Sequence, residues 1–140
     1  MARYEGDLER YQSPDIPIQV DSDQLIIQSD GGGDTQIDQI TVPQVVANQN
    51  DYPLPPGQVI RFSTDASRNF TGFAGSRSGI VAFSNVGSFD GVIVDNSASS
   101  AAANRVLCPN SGVNVTVSAR KTALMFYDFQ DFRWRIISLT

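Results

Sequence analysis

The chain of 140 residues contains no histidine and a single cysteine, Cys108. Without histidine, Ser-His-Asp and Cys-His catalysis, imidazole metal ligation and the usual near-neutral pH switch are all excluded. A lone cysteine can form neither an intramolecular disulfide nor a thiolate cage for zinc. Charged residues make up 18% of the chain, against about 25% in ordinary globular domains. Ser, Asn, Gln, Thr and Gly fill the gap, a composition closer to extracellular or particle-surface β proteins than to cytosolic enzymes. The longest uninterrupted apolar run, Ala123 to Tyr127, is far below the roughly 18 residues a membrane helix needs. The N-terminal MARYEGDLER is charged where a signal peptide would be apolar. A soluble protein made in a cytoplasm and not secreted by a classical route is therefore expected.

What charge there is lies unevenly. Residues 1–50 carry nine acids against Arg3 and Arg10, whereas the remainder carries six acids against eight bases. A net charge of −5 with a nearly neutral main body is unsuited to gripping phosphate backbones, so a nucleic-acid partner is not expected. The length suits one domain with a respectable core and would cramp two.

No helical period of useful length occurs. Instead, short β-branched or aromatic runs alternate with turn formers, at Gln58–Ser63, Asn69–Phe73, Gly79–Asn85, Gly91–Asp95, Arg105–Cys108, Asn114–Ser118, Thr122–Asp128 and Arg133–Leu139. Eight such runs, spaced roughly 8–12 residues apart, predict an all-β antiparallel sandwich or jelly-roll-like domain over residues 49–140. TALMFY (122–127), apolar at both parities, reads as a central strand covered on both faces. Residues 1–48 are acidic, poor in apolar groups and interrupted by proline. They read as an extended arm with short edge strands, too sparse to fold alone and suited to ordering on a partner. Its partner-contact candidates are Tyr4, Tyr11, Ile16, Ile18, Val20, Leu25 and Ile27.

No catalytic constellation emerges. DGGGD (30–34) lacks the Gly-Lys-Ser/Thr ending of a phosphate loop and reads as a turn. Asp21, Asp23, Asp30 and Asp34 lack EF-hand spacing and read as a solvated surface, so no metal or cofactor is expected. Asp128 and Asp131 form the closest carboxylate pair in the body, yet they flank a turn where Asp serves geometry alone. Cys108 has no base to activate it and reads as a small buried hydrophobe. Tyr52, Phe89, Phe129 and Phe132 are the candidate exposed aromatics, available to a sugar or another protein.

The stretch DNSASSAAANRVLCPN (95–110) resembles a linker in its first half and a strand in its second. Its physical reading is a compact loop. Ser99 or Ser100 caps one helical turn through residues 101–103, Asn104 and Arg105 bond neighbouring backbone, and the alanines let the turn lie close to the sheet.

Four motifs in one order carry a resemblance: IRFSTDASRNFTGFAG (60–75), SNVGS (84–88), DNSASSAAANR (95–105) and LMFYDFQDFRWRIIS (124–138). The string is similar to a module of tailed-bacteriophage virion and fibre proteins, with Phe70 standing where an aliphatic residue is usual. The resemblance covers residues 49–140 and marks Ser99, Ser100, Asn104, Arg105, Tyr127, Asp128, Arg133 and Trp134 as structural motif positions. It implies a non-enzymatic β-sandwich on a phage particle, often a homotrimer, with no membrane or small-molecule partner. The short segment before the module favours a capsid decoration (cement) protein that binds the major capsid protein at the virion surface. A tail fibre or adaptor protein touching host glycans is the alternative.

Overall fold

The computed structural model describes residues Ile37–Thr140. The arm candidates Tyr4, Tyr11, Ile16, Ile18, Val20, Leu25 and Ile27, and the acids at positions 21–34, lie outside the described residues. The six-stranded sheet has the order β1 (Gln39–Thr41), β3 (Val59–Phe62), β6 (Ile80–Asn85), β10 (Thr122–Asp128), β11 (Arg133–Leu139) and β8 (Val106–Leu107). A three-stranded sheet joins β4 (Arg68–Phe70), β7 (Gly91–Ile93) and β9 (Val115–Val117), and β2 (Tyr52–Pro53) pairs with β5 (Phe73–Ala74). Among the described residues the helical element is one 3₁₀ turn, Ala102–Asn104. The segment 37–48, read from sequence with the arm, is paired into this body through β1.

The fold is all-β, as expected, but its pairing is mixed. Five of the eight strand pairings are parallel. The cause is how the chain winds. From β1 to β7 it visits the large sheet, a second face and a third in turn, so each segment pairs with the one a full coil later. Partners therefore sit 19 to 23 residues apart, as in Val45 with Thr64 and Arg68 with Gly91. Parallel pairing needs such long crossovers, and the other two faces supply them. The antiparallel part comes last: β9 closes on β7, and the β10–β11 hairpin closes on β6.

The coils stack apolar residues in rungs. Ile40, Ile60, Phe83 and Ala123 form one, Phe70, Ile93 and Val115 a second, and Tyr52 with Phe73 a third. At the centre, Phe62 stacks on Phe83 at 4.1 Å while Tyr52 and Phe70 meet Phe83 edge-on. Burying each such ring is worth about 1.5–3 kcal/mol. Tyr52, taken from its Pro-rich surroundings for an exposed aromatic, is in fact 9% exposed and part of this core. Gly91 is a sequence requirement here, because a Cβ at that position would lie 2.6 Å from Phe62.

β10 is central, between β6 and β11, and its Ala123, Met125 and Tyr127 are buried. The expectation that it is covered on both faces is corrected, since Thr122, Leu124, Phe126 and Asp128 are only half-buried. Apolar parity alone mimicked a doubly covered strand, whereas no described element packs over the outer side.

Candidate functional site

The fingerprint residues converge on one seam, where the loop at 95–105 lies against the coil carrying residues 50–73. Ser100 is 3% exposed and its hydroxyl is placed centrally. It accepts from the Asp51 backbone N–H at 2.9 Å and lies 2.7 Å from the Thr71 hydroxyl. Thr71 Oγ1 also lies 2.7 Å from Asn50 Oδ1. The Asp51 carboxylate accepts from the Ala101 N–H at 2.8 Å and from Asn104 Nδ2 at 2.9 Å. Asp51 itself adopts φ 50°, a left-handed geometry that Asp tolerates better than most residues. The Asn104 amide, followed by the Ala101 N–H, holds the Asp51 carboxyl below the usual carboxylate range, against a smaller opposing effect of burial.

This arrangement corrects two readings. The 3₁₀ turn follows Ala101 without any side-chain cap, because Ser100 points across to Asp51 and Thr71, and the Ser99 backbone N–H donates locally to Ser97 Oγ at 3.2 Å. Nor do the alanines mediate the close approach, since residues 101–103 are exposed. Gly72 does: a Cβ there would sit 2.6 Å from the Asn104 carbonyl oxygen and from Ser100 Cβ and Oγ. Asn104 bonds a carboxylate rather than the neighbouring backbone. Arg105 behaves as read, its Nε donating to the Ser100 carbonyl at 3.0 Å.

Tyr127 and Trp134 interlock with the same seam, whereas Asp128 and Arg133 shape the β10–β11 turn. Tyr127 Oη donates to the Ala103 carbonyl at 2.8 Å. Trp134, fully buried, donates through Nε1 to the Phe73 carbonyl at 2.9 Å and through its backbone N–H to Arg105. In the hairpin turn Asp128 Oδ1 accepts from the Gln130 N–H at 2.9 Å, and Oδ2 accepts from Arg135 Nε at 2.8 Å. Arg135 also bonds Asp131. The closest carboxylate pair, Asp128 and Asp131, is thus tied to one guanidinium and shapes a turn, as its sequence reading expected. Arg135, then the Gln130 amide, draws the Asp128 carboxyl below its usual range. Arg133 donates to the Asp131 and Phe132 carbonyls within the same turn.

Comparison with family models, with curated proteins and with solved structures finds no match to this chain. The chemistry of the site is one of mutual internal hydrogen bonding. Each hydroxyl, amide and carboxylate named above has an internal partner, and none is held free beside a nucleophile or a base. Cys108 is buried, and burial, then the nearby Asp95 charge, pushes its thiol up to about 12. At neutral pH it is an unreactive thiol, as its reading as a buried hydrophobe anticipated. Among the described residues no three Cys, Asp or Glu side chains gather as a metal site requires, and no helix is long and apolar enough to cross a membrane.

Two features escaped sequence reasoning. Asp51 organises a loop some fifty residues away in the chain, and nothing local signals that. Arg77 donates to the carbonyls of Leu54, Pro55, Gly57 and Gly75 at 2.7–3.1 Å, which uses four of its roughly five N–H donors. It fastens the YPLPPG segment and forms one wall of an open groove of about 550 Å³ beside Asp38. Among the described residues the exposed aromatics are Phe89, Phe129 and Phe132. Phe132 combines 57% exposure with φ 54°, an unusual geometry for a bulky side chain.

Proposed function

We propose that this chain is a non-enzymatic structural protein of a phage particle, a capsid decoration protein that binds the outside of the major capsid shell and stabilises it. The observation that carries the reading is the interlocking of the motif string. Ser100 meets Thr71, Trp134 meets Phe73, and Tyr127 meets Ala103, so motifs far apart in sequence are parts of one folding unit. That supports a resemblance to a module rather than a chance collection of short words. A protein whose polar groups are consumed internally contributes through surfaces, and decorating a shell requires surfaces in many copies.

The test mixes purified protein with expanded, undecorated heads and follows bound copies by quantitative mass spectrometry. Saturable binding at capsomer stoichiometry, with heads that resist heating better, is expected; absence of binding overturns the reading. The arm is proposed as a shell contact, and its removal should stop at residue 36, because the body begins at Ile37 and its first strand, β1, at Gln39. A second reading is favoured by the exposed Phe129 and Phe132 on the hairpin tip: a tail protein stacking these rings on host glycans. A glycan-array signal lost on Phe129→Ala, with only a few copies per virion, would select it.

A further inference from the structure

At the end of β10 away from the β10–β11 hairpin, one buried residue holds two loops side by side. Asn85, 1% exposed, closes β6. Its backbone N–H donates to the Lys121 carbonyl at 2.9 Å, and its carbonyl accepts from the Arg120 N–H at 3.0 Å. Its side-chain amide donates to the Phe89 and Val117 carbonyls at 2.7 and 2.8 Å, while Oδ1 accepts from the Gly87 N–H at 2.9 Å. The turn at 118–121 and the loop at 86–90 are thus tied into one unit. Outward, that unit presents Val86 and Phe89, 44% and 51% exposed, beside the exposed side chains of Arg120 and Lys121. Register adds a further cation. Arg61 pairs with Ser84 and Ser84 with Thr122, which sets Arg61 in the row next to Lys121.

We propose that this end is a docking site for an acidic, apolar segment of another protein. Charge complementarity names the occupant. Arg68 and Arg135 hold carboxylates, and Arg77, Arg105 and Arg133 donate to carbonyls. Among the described residues, by contrast, Arg61 has the neutral Thr41 hydroxyl at 3.1 Å, and the side chains of Arg120 and Lys121 meet no acceptor. With Asp65 taken by Arg68, Asp90 is the acid left at this end, and it is outnumbered. A carboxylate-bearing partner supplies what the fold does not.

Backbone geometry agrees. The Lys121 N–H closes a turn onto the Ser118 carbonyl at 3.0 Å, and Arg120, the residue before Lys121, has φ 70°. That is the glycine position of a type II turn, where a long side chain is strained. The strain serves no hydrogen bond of the Arg120 side chain within the described body. Val86 and Phe89 select a protein over a polyanion. So few cations cannot grip a phosphate backbone, whereas arginine beside half-bare aliphatic and aromatic groups is the composition of a protein interface. The identity of that protein, the shell subunit, rests on the particle reading. The chemistry is tested without phage heads, so failure of the one is distinguishable from failure of the other.

The full chain is applied to an array of short synthetic peptides in which Asp or Glu alternates with Leu, Val or Phe. A matched array carries Asn and Gln in place of the acids. Peptides that bind are then titrated by fluorescence anisotropy. The acidic peptides should bind saturably and lose affinity as salt rises, and their amide counterparts should not bind. Arg120→Gly relieves the left-handed φ, so it should melt no lower than wild type while binding roughly tenfold more weakly. Phe89→Ser should weaken binding by a similar factor. Phe129→Ser, equally exposed at 51% but on the opposite hairpin, should not. No preference for acidic over amide peptides overturns the proposal, as does a folded Arg120→Gly or Phe89→Ser protein that binds as wild type does. So does a sulfated oligosaccharide that competes with the peptides and binds Phe89→Ser undiminished, because the end is then a general anion site. Should Arg120→Gly fail to fold, Lys121→Glu supplies the charge change beside it.

Discussion

The seam around Ser100 and the cationic end around Asn85 are opposites in chemistry. In the seam, buried hydroxyls, an amide and a carboxylate satisfy one another. At the end, Val86, Phe89, Arg120 and Lys121 stand in water with nothing described above them. The difference separates two kinds of residue that a sequence presents alike. The polar groups of the seam are memorable because the fold depends on them, and they spend their hydrogen bonds on one another. Side chains with unspent burial or charge are the ones available for binding.

The strongest way to break the comparison is to force the seam open. Gly72→Ala puts a methyl group 2.6 Å from a carbonyl oxygen and from the Ser100 side chain. The loop must shift and its hydrogen bonds lengthen, so a loss of about 3 kcal/mol in urea unfolding is expected. A loss within error would show that the loop is not held closely. Ser100→Ala is next. It leaves the Asp51 N–H and the Thr71 hydroxyl short of a partner, at an expected cost of about 1–3 kcal/mol. If it were neutral, the hydroxyl would be a passenger rather than the junction of the seam.

Acid sharpens the comparison from the electrostatic side. Hydrogen bonds from Asn104, Arg68 and Arg135 respectively lower the pKa values of Asp51, Asp65 and Asp128 from 3.8. The unfolded chain therefore binds protons more tightly at these positions than the folded one. The stability they provide is complete above the ordinary carboxylate range and is lost as pH falls through the lowered values. Melting temperature should fall below pH 3.8, and Asp51→Asn should flatten that limb. An unchanged limb would remove Asp51 from the account. Smallest is the effect at the hairpin tip. Phe132→Gly relieves a left-handed φ and, after the entropy cost of glycine, should raise stability by about 0.5 kcal/mol. A gain in stability accompanied by loss of glycan binding would mean that the strained ring is kept for a partner.

Legibility in the sequence followed the range of the interactions. Thr122–Asp128 and Arg133–Leu139 were readable to their end residues because an unbroken apolar run, a period of two in RWRIIS and the Asp-rich turn between them are local signals. The all-β class followed from the same signals repeated. The winding was not readable, since its rungs join residues 19 to 23 apart, such as Val45 with Thr64 and Arg68 with Gly91, with no repeated motif to announce the coil. The Arg105 bond to Ser100, five residues away, was anticipated, whereas Ser100 was misread because a local capping rule competed with a tertiary partner, Asp51. Tyr52 was misread for a related reason. Its prolines suggest a loop, yet parallel pairing with Phe73 carries its ring into the core.

The central claim is that the seam maintains the fold and the cationic end makes the contact. It is tested most directly by the acidic-peptide affinity of Ser100→Ala beside that of Arg120→Gly, each measured below its own urea midpoint. The account predicts a destabilised Ser100→Ala that still binds and a stable Arg120→Gly that binds weakly. A Ser100→Ala protein that is folded but has lost binding, or an Arg120→Gly protein that binds normally, would contradict it.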